Sequence, residues 1–160
     1  LAIIRNEKIR FIVIGDGPRL NEFKNYAKNK GINATFTGRL PYNQMCGLLK
    51  ICDITVNPIV HMAAQSIINK HADYAASGLP VISTQESNEY KNLIDKYQMG
   101  FNCRNNDAED LANKLKFLIE NKNVAIVMGK NARKCAEENF DRSFTYQKLK
   151  KIILNSMENV

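Results

Sequence analysis

The chain reads as an α/β domain: a parallel sheet with helices on both faces. Three observations carry this. Runs of strand length, rich in β-branched and aromatic residues, recur at 10–14, 33–37, 53–56, 81–84 and 100–103. Between them apolar residues return at three- and four-residue spacing, the period of a helix packed on one side. Glycine or Asn-Pro follows several strands, at Gly15, Gly38 and Asn57-Pro58, where the chain must turn.

In order, residues 10–14 form a near-continuous apolar run, which suits a strand buried on both faces. Gly15-Asp16-Gly17-Pro18 is a tight turn, and Leu20, Phe23, Tyr26 and Ala27 then repeat at helical spacing until Gly31. Strand, glycine turn and helix make the front of a Rossmann-like unit, in which backbone amides can approach a phosphate. The third glycine of the dinucleotide fingerprint is missing, and no acidic residue ends the next strand. The second strand, 33–37, leads through Gly38-Arg39-Leu40-Pro41-Tyr42 to a helix over 43–50 with Met45, Leu48 and Leu49 inward. The third strand covers 53–56, and a loop over 59–65 follows.

The chain is organised around 65–84, QSIINKHADYAASGLPVIST. Ser66 is the expected N-cap of a helix; Gly78 with Leu79-Pro80 is its stop. Ile68, Ala72 and Ala75 form the inward stripe, while Asn69, Lys70 and Asp73 share a polar face. A helix start with a lysine one turn in is an anion site; an ordinary solvated face with an i,i+3 ion pair is the competing reading. Beyond the strand at 81–84, a helix over 86–96 carries Tyr90, Leu93, Ile94 and Tyr97. Asp107 caps a helix over 108–120 with Leu111, Leu115, Leu118 and Ile119. Two more helices follow, at 124–138 and 143–157. The domain proper is expected over 1–142, with 143–160 a C-terminal helix.

Composition narrows function less. Hydrophobic content of 44% and charged content of 24% are those of a globular protein. No signal peptide or bilayer-length apolar run is present, and a cytoplasmic location is expected. The net charge of +7 favours anionic partners. Without an RNA-binding aromatic signature or a helix-turn-helix, nucleic acid is not expected among them. Cys46, Cys52, Cys103 and Cys135 show no CxxC or Cys/His spacing, so reduced thiols and no metal site are expected.

FIVIGDGP, FTGRLPY, ICDITVNP, NKHADYAASGLPVIS and MGFNC, in this order over about 10–140, resemble the C-terminal, donor-binding half of GT-B fold glycosyltransferases of family 4 (group 1). The NK…DYAASGLPVI block is similar to transferases of capsule and O-antigen assembly. The resemblance implies that Asp73 holds the ribose hydroxyls of the donor. Gln65 stands where the family has a glutamate that contacts the donor sugar. It further implies that Ser66, Ile67, Ile68 and Asn69, with Lys70, start the helix whose amides approach the diphosphate. Leu40 and Tyr42 match positions lining the base, and Gly15 and Gly17 the glycine turn beside the nucleotide.

The family's phosphate-clamping Arg and Lys precede Arg10 and are not in this chain, nor is an N-terminal acceptor domain. The chain is therefore expected to lack its first strand and to be inactive alone. The implied reaction moves a sugar, with retention, from a nucleotide diphosphate sugar, a UDP-sugar above all, to a saccharide or lipid-linked acceptor. No cofactor is needed, and the full enzyme could lie peripherally at a membrane. A non-catalytic nucleotide-binding or scaffolding domain and a sugar-nucleotide epimerase remain alternatives.

Overall fold

The computed structural model describes residues 1–6, 8–62 and 67–157. Strands and helices alternate as β1 (Phe11–Ile14), α1 (Leu20–Asn29), β2 (Ala34–Gly38), α2 (Tyr42–Leu49), β3 (Thr55–Asn57), α3 (Asn69–Ala76), β4 (Val81–Ser83), α4 (Asn88–Tyr97) and β5 (Gly100–Asn102). Helices α5 (Ala108–Glu120), α6 (Lys122–Asn139) and α7 (Arg142–Met157) complete it. Element type agrees throughout with the sequence reading, and most boundaries move by one or two residues.

All pairings are parallel. Strand β1 pairs with β2, Phe11 opposite Ala34, with a register shift between Val13 and Ile14 that sets Ile14 opposite Gly38. Strand β4 lies between β3 and β5, Ile82 opposite both Val56 and Phe101. Among the described residues these are two sheets, of two and three strands, with no hydrogen-bonded pairing between β1 and β3. The single sheet expected from sequence is thus divided at that point.

The core is densest around β4, because successive strand residues point to opposite faces. Val81 packs with Tyr90, Ile94, Met99, Ala132 and Cys135, from α4 to α6. Ile82, its neighbour, packs on the other side with Cys103, Leu115 and Leu118, joined by Leu1 and Ile4. Helices therefore cover both faces, as the alternation of strand and helix requires. The side of β1 and β2 is less enclosed: their residues are half-buried. Phe23 and Tyr26, which repeat at helical spacing, are about half exposed. Only Ala27 of that helix is buried, and Arg19 and Lys30 lie over the two rings.

Helix α3 is fixed from below by α6. A Cβ on Gly129 would stand 2.3 Å from the Gly78 carbonyl oxygen, so only glycine allows the two backbones to approach this closely. Arg133 Nη1 donates to the Ala76 carbonyl at 2.9 Å, which satisfies an end carbonyl of α3. Helix α7 is covered far less. Tyr146, Leu149, Ile152, Ile153 and Met157 are exposed. Among the described residues no helix is long and apolar enough to cross a membrane.

Candidate functional site

Helix α3 begins two residues later than its sequence suggests. Its N-cap is Ile68, with extended backbone at φ −112° and ψ 158°, and not Ser66. An isoleucine side chain cannot cap, so the helix uses another acceptor. The Ile68 amide donates to His71 Nδ1 at 3.2 Å, and the His71 amide donates to the Ile68 carbonyl at 2.9 Å. The imidazole does here what a glutamate or glutamine does at the third position of a capping box.

His71 is fully buried. Its ring stacks on Tyr90, centroids 3.5 Å apart and planes within 7°. Desolvation first, then the charge of Lys70, pushes its pKa down to about 4, so the ring is neutral near pH 7. With Nδ1 accepting, its proton sits on Nε2, 3.1 Å from the Asn57 carboxamide. An Asn57 oxygen turned to that proton accepts from the Ser83 hydroxyl as well, and it requires the Gln85 amide to be turned likewise, since Gln85 Oε1 cannot donate to it. Asn57 also reaches Ser83 at 3.0 Å and Gln85 at 3.2 Å. This buried polar knot joins the ends of β3 and β4 to the start of α3.

Above it lies the polar face read from the sequence. Asn69 is exposed, while Lys70 and Asp73 are half-buried; burial lowers the Lys70 pKa, marking an ammonium with an incomplete water shell. No ion pair joins Lys70 to Asp73 among the described residues. Asp73 Oδ1 instead accepts from the Tyr42 hydroxyl at 2.9 Å. That hydrogen bond, then the carboxylate's charge, raises the Tyr42 pKa to about 12. Two of the predicted residues, 31 apart in sequence, are thereby brought together.

Other predicted positions lie along the same strand ends. Gly15 has φ +134° and donates its amide to the Gly38 carbonyl at 2.8 Å, closing the turn beside half-buried Leu40. The Gly17 amide is bonded to the Asp16 carboxylate at 2.8 Å, so in this conformation it is engaged locally. Ile67 is 40% exposed. Gln65 and Ser66 fall outside the described residues. The loop leading towards them is pinned at its base: Thr84 Oγ1 accepts the Ile59 amide and donates to its carbonyl, both at 2.8 Å. Glu86 holds His61 Nδ1 at 2.9 Å and the Met62 amide at 3.2 Å.

Sequence reasoning gave no role to His71 or Gln85, and read Asn57 only as part of the turn that ends the third strand. With Ser66 taken as cap, Asn69 stood at the third helical position and His71 further in, so its capping role was hidden. The usable signal is a buried-type position carrying histidine where the apolar stripe has a gap. Among the described residues no cluster of three His, Cys, Asp or Glu could hold a metal ion. The arrangement offers two first-turn amides, of Asn69 and Lys70, that meet no acceptor among the described residues, together with one cation and one carboxylate. It fits an anion with adjacent hydroxyl donors.

Known proteins share the fold. Residues 1–135 match the family model described as glycosyl transferases group 1. An uncharacterized glycosyltransferase of Methanocaldococcus jannaschii is 28% identical over 147 residues, covering 91% of this chain and 37% of its own length. Anabaena HepE, solved in complex with UDP, superposes with a TM-score of 0.82 at 18% identity, over 96% of this chain and 43% of that one. The C-terminal domain of the group 1 glycosyl transferase LpcC from Francisella tularensis gives 0.73 at 18% identity, over 88% and 76%. The chain thus spans about two fifths of the length of its archaeal relative, with a GT-B type α/β fold. It belongs to the glycosyl transferases group 1 family.

Proposed function

We propose that this chain is the donor-binding part of a retaining glycosyltransferase. The full enzyme takes a nucleotide diphosphate sugar, a UDP-sugar first, and passes a hexosyl group to a saccharide or lipid-linked acceptor in cell-surface polysaccharide assembly at the cytoplasmic side. The observation that carries the reading is the start of α3, where Asn69 and Lys70 amides meet no acceptor among the described residues and Lys70 and Asp73 flank them. Family membership and the UDP complex of the HepE neighbour support it.

In this role the α3 amides and dipole, with Lys70, take up the charge that grows on the leaving diphosphate. Asp73 accepts from the ribose hydroxyls, and Tyr42 releases or shares that carboxylate when the nucleotide enters. Leu40 and Gly15 border the base and the diphosphate. A partner domain before Leu1 supplies the acceptor site, and a strand before β1 fills the division between the two sheets, the place of the first strand in the doubly wound order. The exposed apolar residues of α7 fit a surface that this partner domain covers. Calorimetric titration with UDP tests the reading: weak binding is expected, and no response to millimolar UDP, UMP or GDP would contradict it.

A further inference from the structure

We propose that His71 is a positioning residue of the donor site: by accepting the Ile68 amide it holds the first turn of α3 so that the next two amides, of Asn69 and Lys70, stay open to the donor diphosphate. The inference rests on the donor-site reading above and concerns a residue that touches neither phosphate nor sugar.

The geometry is specific. A helix start has four amides without intrahelical partners. In α3 the Ile68 amide is taken by His71 Nδ1 at 3.2 Å and the His71 amide by the Ile68 carbonyl at 2.9 Å. Asn69 and Lys70, between them, find no acceptor among the described residues. The imidazole has little freedom to turn away, because Tyr90 stacks on its face and Asn57 meets its other nitrogen. Asn57 and Ser83 are themselves the last residues of β3 and β4, and Gln85 lies two residues beyond. The turn is thus referenced to the sheet and not only to its own helix. Rigid amides aimed in advance stabilise developing charge better than amides that must first be ordered.

Two substitutions separate this role from simple packing. His71→Leu removes the acceptor; His71→Gln restores it, since a glutamine at the third position reaches back to the cap amide. Both lose the Tyr90 stack and the Asn57 contact, so their difference isolates the one hydrogen bond. Hydrogen exchange of the Ile68 amide and UDP affinity are measured on wild type and both variants, with melting curves to confirm folding. Rescue is expected: His71→Gln keeps Ile68 protected and binds UDP close to wild type. His71→Leu loses the protection and binds about three- to tenfold more weakly, the size of a lost cap. If His71→Leu does not fold, His71→Asn, too short to reach back, takes its place. Equal UDP affinity and equal Ile68 protection in the Leu and Gln variants would overturn the role given to His71 while leaving the donor site standing. A wild type that does not bind UDP removes the donor reading itself, and this inference with it.

Discussion

The Tyr42 hydroxyl donates to Asp73 Oδ1 at 2.9 Å, joining the start of α2, which follows the two-stranded sheet, to the polar face of α3, which precedes β4. The bond crosses the division between the sheets and engages one oxygen of the carboxylate to which the proposed function gives the ribose hydroxyls. It is an exposed contact, Tyr42 being 67% exposed, so it contributes little to stability.

Its effect on titration is measurable. Asp73 is the first cause of the rise of the Tyr42 pKa to about 12. In Asp73→Asn, the Tyr42 ring signals followed by NMR should therefore titrate at clearly lower pH than in wild type. Tyr42→Phe should change stability by only about 0–1 kcal/mol. An unchanged Tyr42 titration in Asp73→Asn would mean that the pair does not persist in solution.

His71 makes stability depend on pH in a definite direction. Its folded pKa, about 4, lies below the ordinary imidazole value of 6.5, because desolvation and Lys70 disfavour the cation while Tyr90 adds no charge near neutrality. The contribution is therefore full above pH 6.5 and is lost as pH falls from 6.5 towards 4, where unfolded but not folded His71 binds a proton. By linkage the loss is on the order of 2–3 kcal/mol. His71→Gln should start less stable at pH 7 and lose less than wild type between pH 7 and 4.5 in urea titrations. Parallel losses would contradict the buried neutral imidazole.

Two glycines should respond in opposite ways. Gly129→Ala drives a methyl against the Gly78 carbonyl, with 2.3 Å available, and backbone cannot swing aside as a side chain can. A loss of about 1–3 kcal/mol or more is expected. Gly47, inside α2 with nothing within 4 Å of an added Cβ, should gain about 0.5–1 kcal/mol as alanine. Denaturation midpoints of the two variants check both signs.

The fold was legible because each element carries a local signal. Asp107 caps α5 through the Asp110 amide at 2.8 Å, and Gly78 takes φ +70° just after α3, both as spacing and turn chemistry indicate. What was not legible depends on pairs distant in sequence. The start of α3 is tied through His71 to strand ends around Asn57 and Ser83, a tertiary contact that a cap search in the local sequence does not see. The exposure of Phe23 and Tyr26 likewise follows from what does not cover α1, which no helical period reports. Of the site, the Asn69, Lys70 and Asp73 face was visible in the sequence; the Tyr42 contact and the knot beneath the face were not.

The central claim is that a nucleoside diphosphate seats at the start of α3. Backbone amide shifts recorded while UDP is added to the chain test it most directly, with Asp73→Asn as a second sample. The account predicts concerted shifts at Ile68, Asn69, Lys70, Asp73, Tyr42 and Gly15, and an affinity weakened in Asp73→Asn by about 1.5–3 kcal/mol at most with little change in melting temperature. Shifts confined elsewhere, or unchanged UDP affinity in an Asp73→Asn that melts lower, would contradict it and return Asp73 to a purely structural role.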